Sequence, residues 1–228
     1  MRIGLIGSGN MGRALGVRLA QSGHENFFGA RSSVQAEDAA KLAANNSKHG
    51  SVDQAAGFGD VLIWTPREVD ATRVLDDGSI LRGKVIVDVD NRNYATDVRT
   101  GAWFEVSLAE RLQNSLPDAQ VVKAFNTIAM ETFDRSAESL RSQGAQTFIA
   151  GRQAEAKRIV AEIASTLGFE AIDLGSSPAA LRAIEALGDI IRLLMIEEGQ
   201  GGDAHIKVIK LVGPTLGTIG TREHSKYE

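Results

Sequence analysis

The chain has 228 residues, no cysteine, and 25 Lys+Arg against 29 Asp+Glu, a formal charge of -4. That length buries roughly 70% of the unfolded surface in one sizeable domain, or a domain with a small appendage. The missing cysteines exclude disulfides, thiolate metal sites and thiol nucleophiles, and the mild negative charge argues against a nucleic-acid partner. Hydrophobic and charged fractions of 43% and 24% are ordinary, which leaves 24 glycines against 4 prolines as the feature to be placed.

Residues 2–6 read as a short strand and lack the charged and apolar regions of a signal peptide. Gly7-Ser8-Gly9-Asn10-Met11-Gly12 follows directly and opens an amphipathic helix over 11–22, with Gly16 one turn further on. After a strand and before a helix, this spacing is a dinucleotide fingerprint. The first glycine permits the tight turn, the second lets a pyrophosphate approach the backbone, and the third allows close helix packing. The phosphate then rests on the free N–H groups of the helix N-terminus.

A strand over 26–29 ends without an acid, and Gly29-Ala30-Arg31-Ser32-Ser33 follows. An acid there would hold the ribose 2'-hydroxyl of NAD. A guanidinium with neighbouring hydroxyls suits the 2'-phosphate of NADP. The cofactor expected is therefore NADP(H), with Arg31 as selector; the plain alternative makes Ser32 or Ser33 a helix cap.

Further on, helices are expected over 34–44 and 67–75 and a strand over 61–64, with Thr65 at an N-cap and Pro66 in the first turn. Thr65 lies at the ligand-binding edge, open to a nicotinamide contact or a capping role. A strand over 85–88 ends in Asp88-Val89-Asp90-Asn91-Arg92-Asn93. Its carboxylates are read as facing a ribose and loop water, not a metal. After a helix over 108–114, a strand over 121–124 leads into Lys123-Ala124-Phe125-Asn126-Thr127 and then a helix. Asn126 is either its N-cap or a contact to a carboxamide, since Asn offers both donor and acceptor.

Strands over 147–150 and 170–173 and helices over 155–167 and 179–196 complete an α/β pattern of seven strands, a doubly wound, mostly parallel sheet. We expect a dinucleotide-binding domain over 1–175 and a small helical extension with a tail over 176–228. The apolar stretch 190–196 is interrupted by Arg192 and flanked by Asp189 and Glu197, far short of the ~20 residues of a membrane span. A soluble cytoplasmic protein is expected. Gly199 to Asp203 breaks the last helix, 206–212 is apolar, and 213–228 reads as a poorly ordered polar tail. His24, His49, His205 and His224 are scattered without ligand spacing and are expected at the surface.

The run from Gly7 to Leu19, Gly29-Ala30-Arg31-Ser32, Trp64-Thr65-Pro66, Val122 to Thr127, and Ala171 to Gly175 followed by Ala180 to Glu185 occur in this order. Together they resemble the coenzyme F-420-dependent NADP reductase family. The soluble reductase domain of the STEAP metalloreductases is similar in the same places and shares the Lys-Ala-Phe-Asn form at 123–126. The resemblance spans residues 1 to 196. It implies a Rossmann domain with NADPH at the glycine loop and a flavin or deazaflavin against the nicotinamide. By motif it implies NADP contacts from Ser8, Asn10, Met11, Arg31, Ser32, Thr65, Ala124 and Asn126, beside Gly7, Gly9, Gly12 and Pro66.

Hydride transfer between two stacked rings requires positioning and no obligatory acid or base, so no catalytic residue and no metal are assigned. The partner expected is a small-molecule electron acceptor: coenzyme F-420, FMN or FAD. These residues hold no membrane haem relay, so a complete metalloreductase is not expected of this polypeptide by itself. The apolar helix 181–195 and the run 206–208 are open to three uses: a wall of the acceptor pocket, a homodimer contact, or ordinary core packing. Two other functions stay open: reduction of a small imine or carbonyl, and non-catalytic NADP(H) sensing.

Overall fold

The computed structural model describes residues 1–213; His224 and the polar tail from 214 onward lie outside them. Eight strands form one sheet: β1 (Arg2–Ile6), β2 (Glu25–Gly29), β3 (Lys48–Gly50), β4 (Val61–Trp64), β5 (Val85–Asp88), β6 (Gln120–Ala124), β7 (Gln146–Gly151) and β8 (Glu170–Asp173). Their spatial order is β3-β2-β1-β4-β5-β6-β7-β8. Every pairing is parallel except β6 with β7. The mostly parallel Rossmann-like sheet expected from the alternation is present.

The helices are α1 (Asn10–Gln21), α2 (Ser33–Ala43), α3 (Val52–Phe58), α4 (Leu108–Ser115), α5 (Ala137–Ser142), α6 (Ala154–Leu167) and α7 (Pro178–Ile196). Strand parity sorts them onto two faces. Ile3, Leu5, Val61, Ile63, Val85 and Val87 share one core with α1, α2 and α6 through Leu15, Leu19, Ala39, Val160 and Ile163. Ile6, Leu62, Trp64 and Ile86 share the other with α3, α4 and α7 through Ala55, Leu112, Leu181 and Ile184. Among the described residues no helix is long and apolar enough to cross a membrane.

Three expectations need correction. An eighth strand, β3, is present; it has three residues at the sheet edge, and Lys48 and His49 are exposed, so it carries no apolar run. Helices α3 and α5 are one to two turns long and too short for a clear period. The helix expected over 67–75 does not form. Residues 65–70 are irregular and only a 3-10 turn, Ala71–Arg73, follows, capped by Asp70 accepting from the Thr72 N–H. Ala71 and Leu75 are nonetheless buried, so their spacing reported burial correctly and helix wrongly.

Candidate functional site

The chain passes from β1 to its neighbour β2 and later returns to β4 on the other side, so the strand order reverses at β1. Ligands in such sheets bind at the carboxyl end of this crevice. The Gly7–Gly12 loop occupies it. Gly7 has φ +98° and its N–H donates to Gly29 O at 2.9 Å, which tethers the turn to β2. Among the described residues a Cβ on Gly9 would meet nothing within 4 Å, whereas one on Gly12 would lie 2.1 Å from Gly7 O. On Gly16 it would strike the Phe28 ring. The three glycines thus have different reasons to be glycine: a left-handed turn, an open approach and a close contact. Gly9 is also the N-cap of α1 and offers no side chain to its first N–H groups, which are left for an anion.

Two cavities meet over this loop and share Gly9, Thr65 and Arg67. The first, about 510 Å³, is lined by Gly7, Ser8, Arg31, Gln35, Pro66, Arg67, Glu68 and Arg73 among others. Three guanidiniums face one carboxylate there, a balance that suits a phosphate. Ser8 is buried and donates from Oγ to Gly29 O at 3.2 Å. Ser32 is exposed and caps α2 by accepting from the Gln35 N–H at 3.4 Å; it borders this cavity in sequence without lining it.

The second cavity, about 460 Å³, is lined by Asn10, Met11, Gly12, Asn91, Asn126, Ile128, Met130, Glu131, Ile191, Arg192 and Met195 among others. Of the residues picked from the sequence, Ala124 lines neither cavity; it is fully buried in the core.

Thr65 is not a helix cap. Its Oγ1 donates to Ile6 O at 2.9 Å and lies 3.2 Å from Gly7 O, joining the end of β4 to the start of the glycine loop. Nor does Asn126 cap a helix, because a turn and a 3-10 segment, Met130–Asp134, follow β6. The preceding Phe125 takes φ +59°, a sparsely populated conformation for a bulky residue, and swings the chain so that Asn126 faces inward. Asn126 Nδ2 donates to Ile184 O at 2.9 Å and to Asn91 Oδ1 at 3.3 Å, while Asn91 Nδ2 donates to Asn126 O at 2.7 Å. Asn126 Oδ1 is buried with no partner among the described residues. Gly188 completes the arrangement: a Cβ there would lie 2.2 Å from Asn91 Oδ1, so only glycine lets the α7 backbone rest on the amide pair.

Asp88 does not face a ribose or loop water. It is 2% exposed and lies 2.9 Å from the fully buried Lys123 Nζ, which is 3.3 Å from Glu185 Oε1. Glu185 also accepts from the Leu108 and Ala109 N–H groups at 3.0 and 3.1 Å, so the α4 N-terminus balances the second carboxylate. Burial opposes the Lys123 charge, yet Asp88 and Glu185 hold its ammonium above the ordinary range. Burial and the adjacent Asp88 push the Asp90 carboxyl up to about 6. His24 is another correction, being buried and bonded through Nε2 to Thr166 Oγ1 at 3.2 Å. His205 is half-buried and accepts from the Gln146 N–H at 2.9 Å, while His49 is exposed.

Sequence reasoning did not select Asn91, Arg67 or Arg192 as site residues. A signal existed for Arg192, the lone charge in the apolar stretch 190–196.

Residues 2–92 match the family described as NADP oxidoreductase coenzyme F420-dependent. The chain is 30% identical over 186 residues to metalloreductase STEAP3 of Rattus norvegicus, covering 82% of this chain and 36% of that relative. It therefore spans about a third of the length of that protein. It is 28% identical over 207 residues to the F420-dependent NADP reductase of Methanothermobacter thermautotrophicus, covering 84% of this chain and 88% of that one. A solved structure from Arthrobacter sp. FB24, provisionally named an F420-dependent NADP-reductase, superposes with TM-score 0.76 at 23% identity. It covers 92% of this chain and 100% of its own and supports the fold. The family resemblance drawn from the motifs is thereby borne out.

Proposed function

We propose that this chain, whose residues 2–92 fall in the NADP oxidoreductase coenzyme F420-dependent family, transfers hydride between NADP(H) and a flavin or deazaflavin, with coenzyme F-420 the leading acceptor. The observation that carries the reading is the pair of cavities joined over the glycine loop, one rich in guanidinium groups and one walled by Ile128, Ile191 and Met195. When bound, the nicotinamide supplies the hydride; the protein's task is then to place two rings at attack distance and keep water away.

The residues present fit a dinucleotide. Gly9 leaves open space and uncapped helix N–H groups for the pyrophosphate. Arg31, beside Ser32, faces the first cavity and takes the 2'-phosphate. The unpartnered Asn126 Oδ1 is an acceptor for a carboxamide N–H, and satisfying it removes a penalty of about 1–3 kcal/mol. Gly7, Ser8, Gly12, Thr65 and Pro66 shape the turn, and Asn10 and Met11 line the second cavity. Ala124 acts from behind, as the fully buried strand end that fixes where Asn126 begins. In the same reading 1–175 is the dinucleotide domain and 176–228 supplies the acceptor wall. Exposed Ile190, Leu193, Leu194 and Ile196 on α7 suit a homodimer contact, and the setting is the cytoplasm.

The test is NADPH oxidation, followed by its near-ultraviolet absorbance, with F-420, FMN, FAD, a ferric chelate, a keto acid and a cyclic imine in parallel. Turnover with a flavin or deazaflavin is expected. Turnover with the imine or keto acid alone would overturn the reading, and tight NADPH binding without any turnover would favour a sensor.

A further inference from the structure

Arg192 enters the second cavity from α7, and Arg67 is the other cation lining it. Among the described residues neither makes an ion pair, although Asp90 attracts both through space and Asp189 also attracts Arg192. The described ion pairs engage Arg73, Arg92 and Arg182 but not Arg67 or Arg192. The carboxylate nearest to Arg192 along α7, Asp189, is held by Arg92 at 2.6 Å. Glu131 is the one acid among the described lining residues, and its carboxylate packs against Gly202, 2.7 Å from where a Cβ would stand.

Arg192 is also held in place. Its Nη1 donates to Arg92 O and its guanidinium lies over the Tyr94 ring, 5.5 Å from the centroid. A half-buried guanidinium fixed on two sides, with the rest of its fork making no hydrogen bond among the described residues, is organised for an oxyanion. Arg67 borders both cavities and so reaches anything lying across the glycine loop, but Arg192 borders only the second.

We propose that Arg192, aided by Arg67, forms an anion subsite for a phosphate or carboxylate carried by the acceptor, so that the protein selects charged acceptors over neutral rings of the same kind. This rests on the flavin or deazaflavin reading above. The same chemistry has a second source, the pyrophosphate of the dinucleotide, and the test separates the two.

Binding to NADP-saturated protein is read by ring fluorescence for two matched pairs: FMN and riboflavin, which differ by one phosphate, and F-420 and its deazaflavin chromophore without the charged tail. The charged member should bind about tenfold tighter in at least one pair. Inorganic phosphate should weaken the charged member alone, a measurement on the unaltered protein that does not depend on how any variant folds. Arg192→Met should erase the preference while leaving NADPH affinity within about twofold, and Arg192→Lys should restore part of it. Equal binding of charged and neutral members removes the subsite and leaves the flavin reading intact. A loss of NADPH affinity in Arg192→Met matching the loss of FMN assigns the anion to the dinucleotide and overturns the proposal. If no ring binds in either pair, the flavin reading falls and this inference with it.

Discussion

The two halves of the site are built by different means. Around β1, α1 and β2 the cavity is shaped by backbone, through glycines at 7, 9 and 12 within one short segment, and the side chains contribute tethers such as Thr65 Oγ1 to Ile6 O. Around β5, β6 and α7 it is shaped by side chains that meet from far apart: Asn91 with Asn126, Lys123 with Asp88 and Glu185, Arg92 with Asp189. The first half tolerates little because Gly7 holds a left-handed φ and a Cβ on Gly12 would strike the Gly7 carbonyl, while Gly9 keeps the approach open. The second tolerates little because any removed partner strands a buried polar group.

That contrast can be broken experimentally. The largest effect belongs to the second half. Lys123→Met should leave Asp88 and Glu185 buried and unpaired and lower stability by about 3–5 kcal/mol, read by denaturant unfolding, with NADPH affinity of the folded fraction little changed. In the first half, Gly12→Ala should force the loop away from α1 and cost about 2–3 kcal/mol, but here NADPH affinity should fall with stability. If both substitutions moved stability and cofactor affinity alike, the two halves would not be separable. Arg31→Ala should sharpen the picture by losing about 2 kcal/mol of NADPH binding with NADH binding and melting temperature unaltered; equal losses for both cofactors would remove Arg31 from the selector role.

The smallest effect concerns pH. Asp90 binds its proton more tightly folded, with a pKa of about 6, than unfolded. The Asp90 contribution to stability should therefore be lost as pH rises from about 4 to about 6 and change no further above that. Asp90→Asn should remove that contribution from the pH dependence, matching wild type near pH 4 and exceeding it at pH 7 by about 1–2 kcal/mol once solvent screening is allowed for. Parallel stability curves for the two proteins would show that Asp90 does not titrate in this way.

The sequence was most informative where structure is local. The buried strands were legible because both faces are covered and the runs are apolar, and the glycine loop because its requirement is conformational. Helix α3 was legible too, though unread: Ser51 and Gln54 form a capping box, as Ser107 and Glu110 do before α4. Thr65-Pro66 misled because a hydroxyl placed to cap a helix and one bonded to a neighbouring strand have the same local signature. The Asp88–Lys123–Glu185 group could not be read at all, since pairing across sequence separations of this kind is a property of the sheet order and leaves no spacing behind. Asn126 falls between: its motif marked the position, but its partners on α7 came only with the fold.

The antiparallel step from β6 to β7 has a consequence for polarity. Because β7 and β8 run against the rest of the sheet, the chain leaves β8 at the edge remote from the glycine loop. Helix α7 must climb back, and its 19 residues rise about 28 Å. It therefore arrives beside the second cavity carbonyl end first, with Ile191, Arg192 and Met195 near its end. At α1 the sheet presents the electropositive start of a helix, and across the crevice it presents the electronegative finish of another. A crevice so polarised favours anions on one wall by backbone alone, and on the other needs a guanidinium to reverse the sign.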